Sequence, residues 1–182
     1  MGNMSSHGAT VVGWWVGKPL LIGLAGLMLS AGASYAQTTG QGTFVGGAGA
    51  YSNGFSSGPV LQIGGGGQAL IRNRFGIGGE LGLAGGGGDA WATVSLTGSL
   101  HFPKQGATNG VVPFVSGGYT RMAFFTESGG SNALNIGGGV TYWVSDRKGL
   151  LVEFRDVVYQ ALGIDQYWAA RIGITFRSGG KE

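Results

Sequence analysis

The sequence predicts an all-β fold, an eight-stranded antiparallel up-and-down transmembrane β-barrel preceded by a cleavable signal peptide. Three observations predict it: apolar residues alternate with small polar ones along most of the chain, 41 of the 182 residues are glycine, and only 11 are basic and 8 acidic. Interior glycine is unfavourable in helices, and disordered chains carry more charge and fewer aromatic residues. The composition therefore excludes helical and disordered classes and favours one β domain.

Residues 1–36 have the features of a secretory signal peptide. One base, Lys18, precedes an apolar run that ends in mostly small residues up to Ala36. This order is typical of a cleaved signal, so we expect cleavage after Ala36 and a barrel domain spanning residues 37–182. An uncleaved membrane helix is the alternative, but Lys18 and Pro19 interrupt the apolar stretch near its middle.

The alternation of apolar and polar residues defines the strands and is clearest over 91–102. Ala92, Val94 and Leu96 share one face there, whereas threonine and serine share the other, and a helix cannot sort residues with a period of two. An even number of such segments suits a closed barrel. The predicted strands are 43–52, 59–71, 75–84, 91–102, 111–124, 133–144, 150–159 and 167–177.

The apolar face of these strands is expected to lie against lipid. The opposite face is mostly glycine, serine, threonine and glutamine, which would make a poorly soluble exterior but suits a narrow lumen. Closure of eight strands also leaves no unpaired edge in a bilayer. The residues predicted to face lipid are Leu61, Ile63, Leu81, Leu83, Val94, Leu96, Ile136, Val140, Val152, Ile172 and Ile174.

Aromatic residues concentrate near the strand ends, which predicts two belts at the membrane interfaces. With odd strands running outward from the periplasm, the connections on the outer side are six to eight residues each on this map. The outer strand ends hold Tyr51, Trp91, Phe124, Tyr159, Tyr167 and Trp168, and the inner ends hold Phe75, Phe102, Phe114, Tyr142, Trp143 and Phe176.

Residues that could carry chemistry are few. The chain has no cysteine, and residues 37–182 contain one histidine, His101, with no clustered acids, so we expect no metal site, no cofactor and no catalytic residue. His101 is expected to be a polar residue of the lumen or its rim. The net charge of +3 comes from basic residues that occur mostly singly, so nucleic acid is not an expected partner.

Three segments carry a resemblance to a known family. Residues 133–159 combine a glycine-rich strand ending in an aromatic pair, an acidic-basic turn, and a strand with Glu153 and Arg155 two apart; 113–121 and 168–177 have the pattern of a fifth and a closing strand. Together they resemble the small outer-membrane β-barrels related to the OmpA transmembrane domain and OmpX. The resemblance implies a monomer in the cell outer membrane, in contact with membrane lipid and lipopolysaccharide and inserted by the barrel-assembly machinery.

Four charged residues are predicted to point inward near mid-barrel: Glu80, Glu153, Arg155 and Arg171. A hairpin centred on Gly163 would place Arg155 opposite Arg171, and the two acids would then have to interleave between the guanidinium groups. We expect this network to close the lumen. The inward glycines are predicted to leave a cavity split above and below it: Gly64, Gly66, Gly76, Gly78, Gly137 and Gly139.

The expected function is that of a non-enzymatic outer-membrane barrel with a structural or envelope-interaction role. A narrow diffusion pore is the first alternative, since the inward glycines could leave a water path. A soluble lipocalin-type ligand-binding barrel is the second. Alternation places Asp156 outward, so we expect it near the outer interface or at a bulge, while the face of Arg121 stays open.

Overall fold

The computed structural model describes residues 38–52, 56–104, 110–125, 130–160 and 164–178. The expected signal peptide, residues 1–36 with cleavage after Ala36, lies outside the described residues. The described part contains eight strands in chain order: β1 (Thr38–Ser52), β2 (Ser57–Ile71), β3 (Phe75–Gly86), β4 (Asp89–His101), β5 (Gly110–Phe124), β6 (Gly130–Trp143), β7 (Lys148–Gln160) and β8 (Ile164–Arg177). No helix of a length and apolarity suited to crossing a membrane occurs among these residues.

The eight strands form one closed antiparallel barrel in which each strand pairs with its chain neighbours and β1 pairs with β8. Following paired residues around the barrel from Gly42 through every strand leads back to Ser52, ten residues further along β1. A stagger of this size in eight strands tilts them by about 40° from the barrel axis. The predicted fold class is confirmed.

The two ends of the barrel differ in their connections. The start of β1 and the end of β8 lie at one end, called here the terminal end, and the connections β1–β2, β3–β4, β5–β6 and β7–β8 lie at the other, called the loop end. The loop-end connections contain four, two, five and three residues, so the prediction of six to eight is wrong. Residues assigned to loops instead extend the strands, as in the pairing of Gly85 with Ala90.

The β3–β4 turn shows how a connection becomes so short. Gly86 pairs with Asp89, which leaves only Gly87 and Gly88 between the strands, with φ of 65° and 93°. Two-residue hairpins whose twist matches that of the strands need positive φ at their central positions, and glycine adopts such angles without steric cost.

The barrel is apolar outside and largely polar inside. All eleven residues predicted to face lipid lie on the outer face, and side chains such as Leu61, Ile63 and Ile172 are well over half exposed. Buried positions include Ser95 and Thr120, whose hydroxyls are 2.8 Å apart. A soluble barrel has the reverse distribution, so this exterior contradicts the lipocalin-type alternative and fits a bilayer.

The aromatic belts are only partly as expected. Trp168 at the loop end, and Phe75, Phe102, Tyr142 and Phe176 at the terminal end, are exposed. The remaining predicted belt residues do not face lipid in this way: Trp91, Phe114, Trp143 and Tyr167 are buried, and Tyr51, Phe124 and Tyr159 are partly buried against the lumen core. The prediction placed aromatic residues by their distance from the strand ends, without using alternation to decide whether each side chain faces lipid or the lumen.

Arg121 and Asp156 both face outward near the loop end. Pairing of β7 with both neighbours is continuous through Asp156, so no bulge lies there. Its carboxylate accepts two hydrogen bonds from the Gln166 amide, at 3.0 and 2.8 Å. Arg121 is exposed and donates from Nη1 to the side-chain oxygen Oδ1 of Asn132 at 2.7 Å.

Candidate functional site in the lumen

The lumen holds a charged cluster at mid-barrel, which contains all four charged residues predicted from the sequence. Strand alternation directs Glu80 inward from β3, Glu153 and Arg155 inward from β7, and Arg171 inward from β8. Four ion pairs join them. The structure therefore brings together residues up to 91 positions apart in the chain.

Each arginine of this cluster contacts both carboxylates. Arg155 donates from Nε and Nη2 to Glu153 Oε1, at 3.0 and 2.8 Å, and from Nη1 to Glu80 Oε2 at 3.3 Å. Arg171 donates from Nη2 to the same Glu80 oxygen at 2.6 Å, and its Nε lies 3.5 Å from Glu153 Oε2. Two acids and two bases form a closed ring with no net charge, which we call the charge ring.

The pairing between β7 and β8 differs from the predicted pairing. Glu153 lies opposite Arg171, and Arg155 lies opposite Ala169, so the prediction that Arg155 and Arg171 face each other is wrong. The hairpin is centred one residue earlier than Gly163, which shifts every cross-strand pair by two positions. Opposite charges directly across from one another are favourable, whereas the predicted pairing would have set two guanidinium groups side by side.

The charge ring is largely removed from solvent. Arg171 and Glu153 are 1% and 3% exposed, while Arg155 and Glu80 are 11% and 21% exposed. Burying an unpaired charge is very costly, and pairing with hydrogen bonds offsets that cost. The ring therefore holds its members in place, because loss of one member leaves two like charges sharing a single partner.

Inward glycines make room for the carboxylates of the ring. A Cβ on Gly137 would lie 3.0 Å from Glu153 Oε1 and equally close to Ser116 Oγ, and a Cβ on Gly64 would lie 3.4 Å from Glu80 Oε1. These positions were predicted to create empty volume. The structure shows instead that the carboxylates occupy the space that the missing side chains leave.

An apolar cluster fills the lumen between the charge ring and the loop end, and we call it the apolar plug. It was not predicted, because its aromatic residues were assigned to the membrane interface. The Trp91 ring lies 6.0 Å from Phe124 and 5.9 Å from Tyr167, centroid to centroid. The plug consists of Val60, Ala84, Trp91, Met122, Ala133, Val157 and Tyr167, with Tyr51, Phe124 and Tyr159 packed against it.

The sequence did contain a signal for the plug. Trp91 lies on the same strand face as Thr93 and Ser95, and Tyr167 lies on the same face as Arg171. Because those neighbours were expected in the lumen, strand parity alone also places both aromatic rings inside.

The lumen between the charge ring and the terminal end contains a polar cavity of about 80 Å³. His101 is buried there, as expected; its ring stacks on Phe114 at 5.4 Å, and its Nε2 lies 3.0 Å from Ser99 Oγ. The Gln68 amide bridges Ser99 to the Gln41 side chain, with both hydrogen bonds at 2.8 Å. The expected cavity thus exists on one side of the charge ring, while the apolar plug occupies the other.

The charge ring and the cavity hold no arrangement of metal ligands. Within the described ranges, no group of three or more histidine, cysteine, aspartate or glutamate side chains is placed to bind a metal ion. Each carboxylate of the ring is engaged with arginine. The charged groups at mid-barrel form ion pairs and hydrogen bonds between the strands.

Comparison with solved structures identifies the class of fold. Neisserial surface protein A superposes with a TM-score of 0.64 at 13% identity, covering 77% of this chain and 98% of that one. The N-terminal β-barrel domain of OprF from Pseudomonas aeruginosa gives 0.51 at 17% identity, covering 75% and 97%. The outer membrane enzyme PagL gives 0.52 at 15% identity, covering 76% and 99%. The fold is that of a small outer-membrane β-barrel.

At these identities the likeness concerns the fold alone, so the expected resemblance is confirmed at that level. No protein-family model matches the sequence, and no curated protein matches it. The barrel's closed ladder and apolar exterior are the features that a bilayer requires. Together with the fold they locate the protein in the outer membrane.

Proposed function

We propose that the protein is a monomeric, non-enzymatic structural barrel whose lumen is closed to solutes. The observation that carries the proposal is the filling of the lumen at two successive levels, by the charge ring and by the apolar plug. An eight-stranded barrel is just wide enough for side chains to fill its interior. Here inward side chains such as Arg171, Met122 and Val60 are fully buried at these levels.

The polar cavity argues against a pore because the charge ring lies at its inner side. Glu80, Glu153, Arg155 and Arg171 all line it. A solute entering from the terminal end would meet paired charges and then the apolar plug. The cavity is therefore a blind space, large enough for several water molecules.

Planar-bilayer recording tests the closed lumen. The purified, refolded barrel should give no steady conductance at moderate voltage, while a known porin incorporated under the same conditions gives discrete steps. Steady single-channel conductance from the unmutated protein would mean that the pore alternative is correct.

The contact between Ser99 and His101 requires a test of the non-enzymatic proposal, since a serine beside a histidine is the arrangement of an activated nucleophile. Among the described residues no carboxylate is hydrogen-bonded to His101, and its Nε2 also lies 3.4 Å from the Gln68 amide nitrogen. We therefore assign the pair to the polar network of the cavity. A serine-reactive fluorophosphonate should not label the protein, and labelling of Ser99 that His101→Gln abolishes would contradict the assignment.

The loop end is proposed to face the cell exterior. An exported chain reaches the outer membrane from the periplasm, and an even number of strands leaves both chain ends on that side. Because the sequence has no cysteine, single-cysteine variants report topology without background. A maleimide that does not cross membranes should label Ser52→Cys on intact cells but label Arg74→Cys only after the outer membrane is permeabilised.

A further inference from the structure

The lipid-facing surface carries a cation near the loop end. In the interiors of the described strands, Arg121 and Asp156 are the two charged side chains on the outer face. Asp156 is bonded to the Gln166 amide, but no carboxylate among the described residues pairs with Arg121. An arginine facing lipid is unfavourable at the bilayer midplane and tolerated near the interface, where lipid headgroups can supply an anionic partner.

Neighbouring side chains hold the Arg121 guanidinium group against the barrel. The side-chain oxygen Oδ1 of Asn132 accepts hydrogen bonds from Arg121 Nη1 and from the Tyr119 hydroxyl. Gly130 leaves the guanidinium room, since a Cβ there would lie 3.0 Å from Nη2. Arg121 is three residues below the end of β5 at Phe124, about 8 Å along the axis of a tilted strand. A position this close to the strand end suits the membrane interface, where tyrosine rings also concentrate.

An apolar groove lies further from the loop end, beyond Tyr119, which is the next outward residue after Arg121 on β5. Gly98 and Gly117 pair across β4 and β5, and both face outward without a side chain. Ile77 and Ile136 flank them in the same row and are 63% and 66% exposed. The two isoleucine backbones are three strand spacings apart, about 14 Å, so the groove between them is wide enough for an acyl chain.

We propose that Arg121 and this groove form a binding site for the lipid A part of lipopolysaccharide. A lipid A phosphate would bind the free edge of the Arg121 guanidinium, a pairing that arginine geometry favours. One acyl chain would lie over Gly98 and Gly117. The choice of lipid A rests on the proposed orientation, because the outer leaflet at the loop end is made of this phosphorylated glycolipid, whose phosphates lie directly above its acyl chains.

Native mass spectrometry of the barrel in detergent, titrated with bis-phosphorylated lipid A, tests the phosphate half of the site. The unmutated protein should bind lipid A about tenfold more tightly than Arg121→Gln, as expected for one lost charge-assisted interaction. Arg121→Lys should retain part of the affinity. Arg74→Gln, which removes an exposed arginine at the terminal end, is the matched control and should bind like the unmutated protein.

A substitution that fills the groove tests the acyl-chain half. A Cβ on Gly117 would lie 3.6 Å from the nearest atom, the backbone carbonyl oxygen of Asn135, so a side chain here meets no clash at its Cβ. Gly117→Leu fills the groove, and migration of unboiled samples on SDS gels shows that the variant folds. It should weaken lipid A binding several-fold. Gly42→Leu, on the opposite side of the barrel and with its nearest contact at 3.9 Å, should leave binding unchanged.

Three outcomes would overturn the site. The first is that the unmutated protein and Arg121→Gln bind lipid A with equal affinity. The second is that the unmutated protein binds lipid A without phosphates as tightly as bis-phosphorylated lipid A. The third is that it binds phosphatidylglycerol as tightly as lipid A, which would assign the groove to another lipid. None of these results bears on the closed lumen, which conductance decides separately, or on orientation, which cysteine labelling decides.

Discussion

Among the described residues Arg171 is the most buried charged side chain, at 1% exposure, and both of its ion-pair partners are carboxylates from other strands. Glu80 comes from the opposite side of the lumen, while Glu153 lies directly across on β7. Such a residue depends on its partners, since burying a charged group is costly unless it is paired and hydrogen-bonded. Removing a single member of the charge ring should therefore cost more stability than removing an acid and a base together.

At the residue scale, Glu153→Ala should lower the free energy of unfolding by about 3–5 kcal/mol, because it leaves Arg155 and Arg171 sharing one carboxylate. Replacing both members of the cross-strand pair, with Glu153→Leu and Arg171→Met, should cost less than the single substitution, since no unpaired charge remains. Urea unfolding in micelles followed by tryptophan fluorescence measures both. Arg74→Ala, at an exposed turn, is the control, and equal losses in all three proteins would contradict a coupled ring.

The sequence predicted that four charged side chains meet in the lumen, but not which of them lie directly opposite each other. The inward direction of Glu153 and Arg155 follows from period-two parity, a local property of one strand. Their partners depend on the centre of the β7–β8 hairpin, where an error of one residue changes every pair. The partner of Glu80 depends on closure of the whole barrel, which no local pattern encodes.

At the element scale, each strand divides into a lipid face and a lumen face, and the lipid face changes character with depth. Ile172 lies near the middle of β8 and is 69% exposed, whereas Ala123 lies one residue before the loop-end limit of β5. The same side chain introduced at the two positions therefore meets different environments.

Ile172→Arg should destabilise the folded barrel by about 2–4 kcal/mol, because the charge lies near the bilayer midplane, while Ala123→Arg should cost at most about 1 kcal/mol at the interface. Urea titration in lipid vesicles gives both values, with unboiled samples on SDS gels reporting the folded fraction. Ile172→Ala measures how much stability is lost with the isoleucine side chain alone, so the remaining loss in Ile172→Arg is due to the added charge. Similar costs for the two arginine variants would contradict the membrane position of the strands.

The turns illustrate another limit of sequence reading at this scale. The pair Gly87 and Gly88 was assigned to a longer loop, because glycine is equally frequent within these strands and at their ends. A two-residue turn was recognisable only from the pairing of Gly86 with Asp89. In a chain with 41 glycines, glycine does not distinguish turns from strands.

At the scale of the whole molecule, the lumen is closed by two layers of different chemistry in series. The charge ring is held by ion pairs across the barrel, and the apolar plug is held by packing around Trp91, Met122 and Val60. The sequence predicted the first layer because charges are rare in the chain and their parity is clear. It did not predict the second, because aromatic residues at strand ends have two possible locations and their parity was not applied.

Two closures in series predict how the barrel can be opened. Glu153→Ala alone should not conduct, since the apolar plug still fills the loop-end half of the lumen, and Trp91→Ala alone should not conduct, since the charge ring remains paired. Trp91→Ala removes a buried indole at the centre of the plug, where its ring contacts Phe124 and Tyr167, and is expected to leave a cavity, because cores collapse only partly around a lost side chain.

Combining Trp91→Ala with Glu153→Ala should therefore produce a conductance that neither substitution produces alone. The double variant joins the polar cavity to the space left in the plug, so water can pass from the terminal end to the loop end. Planar-bilayer recording of all four proteins measures this, with Leu61→Ala on the lipid face combined with Glu153→Ala as the control for general destabilisation. Conductance in Glu153→Ala alone would show that the plug does not seal the lumen and that the charge ring is the only barrier.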